Sequence, residues 1–159
     1  MRYYLVDKVT SIEVGREIRG LKCVTYADEI LHDHFPDFPI LPGALLVEGL
    51  AQLAGLLLEL TFNQDDSKPV KRAVLAQIEK MKFHKTSGPG DRLEYLAKID
   101  SLLEDAAQVS VEASADGETR GRGRLTFMML PIDSPRVTSQ RVDTYRVWTR
   151  DLASCPRLR

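Results

Sequence analysis

The chain has only two cysteines among its 159 residues, Cys23 and Cys155, with no close spacing. That excludes a disulfide framework and a zinc motif, and a reducing cytoplasm is the simpler setting. Net charge is also scarce, at −1. No global field marks a nucleic-acid binder or a charged membrane surface. No long uninterrupted apolar run is present either. The most apolar segment, Ile40 to Leu58, contains Pro42 and Glu48, so it reads as a buried helix rather than a membrane span. The opening stretch MRYYLVDKV lacks a signal-peptide pattern, because charges interrupt it before an apolar core can form. Internal repeats and low-complexity tracts are absent.

What remains is an ordinary globular composition, 43% hydrophobic and 28% charged, at a length suited to one domain with a sizeable core. Charge is unevenly spread. Residues 131–159 hold six arginines against three aspartates. That segment has weak periodicity and is expected as a peripheral or partly ordered extension to a domain spanning 1–130. A surface for an acidic partner is the sharper alternative for it.

Residues 4–26 are rich in β-branched and aromatic side chains. They predict two short strands, the second over Glu17 to Tyr26, with turns near Gly15 and Gly20. Residues 27–42 hold three aspartates and three prolines and should be irregular. Pro42-Gly43 then opens a helix to about Phe62, stopped by Asn63-Gln64-Asp65-Asp66-Ser67 and Pro69. A strand follows over 73–85, closed by Gly88-Pro89-Gly90. Beyond it, apolar Leu93, Tyr95, Ala97 and Ile99, then Ala107, Val109, Val111 and Ala113, then Leu125 and Phe127 alternate with mostly polar neighbours. Period-two alternation in consecutive hairpins implies an antiparallel sheet with one apolar face. One apolar helix with such a meander is an α+β arrangement in which the sheet wraps the helix. An open sheet leaves an edge strand, and dimerisation is the usual cure.

The candidate chemistry lies in residues 32–55. Glu48, Gln52, Gly55 and Glu59 recur at spacings of four, three and four, so they share one helix stripe. Glu48 is flanked by Leu45, Leu46, Val47 and Leu50. A carboxylate in apolar surroundings is costly unless paired or protonated, and desolvation favours the neutral acid that a general acid requires. A Glu facing solvent or capping the first turn is the equally open alternative. Gln52, one turn on, is placed to hold Glu48 by hydrogen bond. His34 lies in a proline-bounded extended segment, and neutral imidazole is a natural base near pH 7. Gly43 has a first-turn N–H with no side chain to block it, a docking point for a carbonyl oxygen, though Pro42-Gly43 also serves as a plain helix start. His32 and His34 would share a face in extended chain, but no further ligand at suitable spacing completes a metal site. His84, among lysines, reads as structural.

The run His34-Phe35-Pro36-x-x-Pro39-x-x-Pro42-Gly43-x-Leu45-x-x-Glu48-x-x-Ala51-Gln52 resembles the signature of the 3-hydroxyacyl-acyl-carrier-protein dehydratases of the FabZ type. Leu5-Val6-Asp7-Lys8-Val9, Ile78-Glu79-Lys80-Met81-Lys82-Phe83 and Pro89-Gly90-Asp91-Arg92-Leu93 look like further parts of the same family, and the likeness spans roughly residues 4–130. The resemblance implies a hot-dog fold and a homodimer in which His34 of one subunit faces Glu48 of the other, often built up to a hexamer. It implies that His34 takes the α-proton, Glu48 protonates the departing 3-hydroxyl, the Gly43 N–H holds the thioester carbonyl, and Gln52, Phe35 and Pro42 support them. No cofactor or metal is implied; the substrate rides on the phosphopantetheine of acyl carrier protein or on CoA. Glutamate rather than aspartate at 48 looks like the dehydratase-only branch. Asp33 and Asp37 depart from the glycines common beside the histidine, and Gly49-Leu50 from a usual Ala-Met, which points to a specialised pathway.

Two other functions stay in view. A hot-dog thioesterase places a carboxylate near the helix without this histidine–proline motif. A non-catalytic acyl-binding or scaffold subunit would keep the fold alone. Arg72, Lys80, Lys82 and Lys85 are candidates for a basic rim facing an acidic carrier protein.

Overall fold

The computed structural model of the chain describes residues 4–159. Six strands form one antiparallel sheet: β1 (Lys8–Glu13), β2 (Glu17–Cys23), β3 (Lys71–Phe83), β4 (Arg92–Leu102), β5 (Ala106–Ala115) and β6 (Glu118–Pro131). Their order across the sheet is β1-β2-β4-β5-β6-β3. Between β2 and β3 runs the helix α1 (Gly43–Phe62), and after β6 comes a second helix, α2 (Pro135–Trp148).

The expected alternation sets the inner face. Along β5 every second residue from Ala107 to Ala115 is buried. Leu93, Tyr95 and Ala97 of β4 and Leu125, Phe127 and Met129 of β6 join them. These side chains close over α1, whose Leu50, Leu53, Ala54, Leu57 and Leu58 have no exposed surface. Each such leucine contributes on the order of 1.5–3 kcal/mol on transfer from water. The helix is long and apolar enough to cross a membrane by length and composition, yet 67% of that stretch lies inside the molecule. At its far end the Asn63 side chain exchanges two hydrogen bonds of 2.8 Å with the backbone of Lys71. That pairing ties the end of the helix to the start of β3.

The structure corrects two readings. Gly20 is not a turn; it lies mid-strand in β2, opposite Val9 and Tyr95. A Cβ there would stand 2.9 Å from the Lys8 carbonyl and 3.0 Å from Leu53 of α1, so glycine marks close helix-to-sheet approach. The second strand stops at Cys23 rather than Tyr26. The tail, weakly periodic in sequence, carries α2, which Ser134 caps by accepting from the Val137 N–H and Pro135 begins. Ser-Pro at a helix start is a known signal.

The two sheet edges differ. β1 is flanked by α2; just ahead of the strand Tyr4 meets Trp148 edge-on at 6.5 Å, and Lys8 pairs with Asp151, just past the helix, at 2.6 Å. β3 has no strand on its outer side and exposes Val74, Ile78 and Phe83. An apolar open edge of this kind is a pairing surface.

Candidate active site

The segment before α1 is a short 3-10 turn (Glu29–Leu31) followed by a tight loop. Phe35 and Phe38 exchange backbone hydrogen bonds of 3.0 and 2.9 Å, and the His34 carbonyl accepts from Ile40 at 2.8 Å. The His34–Phe35 peptide is cis, and the Phe35 ring stacks on the His34 imidazole at 4.2 Å. Asp37 sits at φ 64°, the left-handed region where glycine is at ease and aspartate is tolerated. That geometry accounts for a glycine-like position in the loop.

Pro42 ends the loop, and its carbonyl accepts from Leu45 and Leu46 at 2.9 and 3.1 Å. No side chain caps the helix start, so the Gly43 N–H is one of the orphan first-turn donors. The ring of Phe83 lies over the Gly43 Cα, where a Cβ would meet it at 2.9 Å. His34 and Gly43 thus line one cavity of about 430 Å³, together with Leu46, Phe83, His84 and Ser87. Ser87, buried, has no hydrogen-bond partner for its hydroxyl among the described residues. His84, read from sequence as structural, is an exposed member of this cavity.

Glu48 lies elsewhere. It and Gln52 line a second cavity of about 400 Å³ with Ala51, Gly55, Leu75 and Phe127. The Gln52 amide donates to Glu48 Oε1 at 3.0 Å, while the Gln52 oxygen accepts from the Leu5 N–H at 3.0 Å. The Gln52 amide therefore orients the carboxylate. It is exposed rather than buried among the leucines beside it, because helix geometry turns position 48 away from positions 46, 47 and 50. One chain brings His34 together with Gly43, and Glu48 together with Gln52; it does not bring the two pairs into one cavity. Next along the helix, Gly49 faces Tyr95: a Cβ would lie 2.8 Å from the Tyr95 hydroxyl, so this tyrosine takes the room of the alanine usual in the motif.

The other end of the stripe differs from expectation. Glu59 is buried and accepts from Arg72 at 3.0 Å, and Arg141 of α2 lies 3.5 Å from it. Arg72, expected on a basic rim, is 2% exposed, and it also donates to Thr138 Oγ1 and to the Arg159 main-chain oxygen. A carboxylate within an apolar helix needs a buried cation, and that was the signal for this pair. Lys80 and Lys82 do stand exposed, around a shallow hollow shared with Arg122 and Arg124. His32 packs on Tyr26, and no metal-ligating cluster of three occurs among the described residues.

A single long helix wrapped by an antiparallel sheet in this strand order is the hot-dog fold. Solved structures agree: the dehydratase heterocomplex ApeI:P from Xenorhabdus doucetiae superposes with a TM-score of 0.63 at 15% identity, covering 89% of this chain and 90% of that one. A hypothetical thioesterase with coenzyme A from Streptococcus pneumoniae gives 0.61 at 12% identity, covering 80% and 88%. At such identities these likenesses speak for the fold alone. Sequence goes further. The FabA-like domain matches residues 1–123. The 3-hydroxyacyl-[acyl-carrier-protein] dehydratase FabZ of Ruminiclostridium cellulolyticum is 38% identical over 127 residues, 80% of this chain and 87% of that protein. The chain belongs to the FabA-like family, among the dehydratases of the FabZ type.

Proposed function

We propose that the chain is a hydro-lyase that dehydrates 3-hydroxyacyl thioesters to trans-2-enoyl thioesters in fatty-acid or related acyl-chain synthesis. One observation carries the reading. The motif places a histidine with an orphan helix N–H at one site, His34 and Gly43, and an oriented carboxylate, Glu48, at another. Each site alone holds half of an acid–base pair.

The residues act as follows. The thioester carbonyl docks on the Gly43 N–H, where the helix dipole favours the growing enolate charge. His34 removes the proton from C2, the C–H electrons become the new double bond, and the C3–O bond breaks. Glu48 gives its proton to the leaving hydroxyl, which departs as water. Gln52 holds Glu48; Phe35 holds the imidazole by stacking; Pro42 sets the turn that opens the helix. No metal or redox group takes part.

His34 of one subunit then faces Glu48 of a second, in a homodimer that builds to a hexamer. Support comes from the open apolar edge of β3, with Val74, Ile78 and Phe83 exposed, and from the exposed Phe35 and Phe38 of the motif. Phe83 lies at the Gly43 cavity, so an edge-to-edge contact would bring a second copy to the site. The substrate arrives on the phosphopantetheine arm of acyl carrier protein, an acidic partner for which Lys80, Lys82 and Arg122 provide a cationic approach. The enzyme works in the cytoplasm.

The test is hydration of crotonyl thioester, the reverse reaction, followed as loss of the conjugated enoyl absorbance. Turnover by the purified chain is the expected result. Release of free thiol without hydration would make the protein a thioesterase, and no turnover with any acyl chain would leave a scaffold.

A further inference from the structure

The cavity that Glu48 opens does not end on the sheet. It runs beneath α2, which lies beyond the matched residues 1–123. Val137, Arg141, Thr144 and Trp148 of α2 recur at spacings of four, three and four, and all four line the cavity. Glu48, Gln52 and Gly55 of the α1 stripe line the same cavity, so one face of each helix bounds it. Its floor is apolar, built by Ala51, Gly55, Ala73, Leu75 and Phe127. From Glu48 to Gly55 the helix rises roughly 10 Å.

The far wall is polar. Arg141 has the Glu59 carboxylate as its partner at 3.5 Å and keeps 40% of its side chain exposed. A guanidinium carries five N–H donors, so donors remain for a ligand. Glu59 is already engaged, with Arg72 at 3.0 Å and the Ala73 N–H at 3.3 Å. Gln140 lines the same wall. A plain alkyl chain that filled the apolar floor would end against these groups and strip their water without replacing its hydrogen bonds. A chain ending in an oxygen acceptor would replace them.

We propose that α2 is the specificity element of this enzyme: it ends the acyl groove in a polar wall of Arg141 and Gln140, and selects acyl thioesters whose far end bears a carboxylate or hydroxyl oxygen over those ending in a methyl group. The inference rests on the dehydratase reading for the identity of the reacting end. It assigns the other end. Arg141 is the specificity-determining residue, because a carboxylate meets its planar fork in two parallel hydrogen bonds.

Trp148 is the chain's one tryptophan, and it lines this groove, so its emission reports occupancy separately from chemistry. Two probes suffice: trans-2-octenoyl pantetheine and its ω-carboxylate, with the saturated thioethers of each for binding. In the full chain, kcat/KM for hydration is expected to favour the ω-carboxylate at least tenfold, and its thioether is expected to shift Trp148 emission. Arg141→Met should bring the ratio close to one, and Gln140→Leu, at an exposed position, should lower it about threefold, a factor of 3 being under 1 kcal/mol. Equal or reversed preference in the unsubstituted chain overturns the proposal. So does a preference untouched by both substitutions, or an unchanged Trp148 emission in a protein that hydrates crotonyl thioester. An Arg141-dependent emission response without any hydration would keep the groove and overturn the dehydratase reading instead.

Discussion

The two ends of the α1 stripe carry the same residue type in opposite settings. Glu48, near the start, is exposed and touched by one amide. Glu59, near the end, is 1% exposed and held by Arg72, Arg141 and the Ala73 N–H. The lesson is that a carboxylate fully satisfied by its own chain is spent on structure. One left open beside an oriented neighbour is available for chemistry. Sequence spacing alone places both on one face; only partner geometry separates their roles.

Four substitutions probe that contrast. The largest effect is expected at the open end. Glu48→Gln or His34→Ala should each lower crotonyl thioester hydration by about 10²–10⁴-fold, the range for a lost general acid or base. For Glu48→Gln, thermal unfolding should move by no more than about 0.5 kcal/mol, as for other surface changes. A collapse of folding at Glu48→Gln would erase the distinction between the ends.

The closed end should respond the other way round. Arg72→Met leaves Glu59 buried with a single, partly exposed cation. Breaking a buried pair from one side costs on the order of 3–5 kcal/mol, readable by urea unfolding. A loss under about 1 kcal/mol would mean that the pair behaves as a surface bridge.

The smallest effect concerns the helix that ties down the closed end. Tyr145 of α2 donates to the Pro156 carbonyl at 2.7 Å. Burial, with Cys155 nearby, pushes its hydroxyl up to about 12 from an ordinary 10.0. The folded state therefore favours the neutral hydroxyl. Its contribution is complete below pH 10 and fades as pH rises toward about 12. Melting temperature followed across that window should fall more steeply for the unsubstituted chain than for Tyr145→Phe, which has no proton to lose. Parallel curves would remove Tyr145 from the account.

Much of this molecule was legible beforehand, for definite reasons. Strands β4, β5 and β6 announce themselves because one face meets α1 and the other meets water, which forces period two. Helix α1 is marked by Pro42-Gly43 at one end and Asn63 at the other. The His34–Gln52 motif named the candidate site because its residues are close in sequence. What escaped depends on contacts far apart in the chain. The partner of Glu59 comes from β3 and α2, 13 and 82 positions away by their numbers. Arg72 reads as one more surface cation until its neighbours are known. Helix α2 escaped because its apolar stripe is thin: only Tyr145 and Trp148 are buried, too few for a strong period.

The placement of α2 has a kinetic consequence. It packs against β1 and, through Thr138, holds the arginine of β3. Those strands are the first and last of the sheet and share no ladder. The helix is thus a clasp across two edges that can close only after both edges exist. Contacts that wait on both edges are expected to be absent from the folding transition state. Such contacts would leave the rate of folding alone and slow the rate of unfolding. The extension beyond the family domain would in that way set how long a folded molecule lasts, apart from how readily it forms.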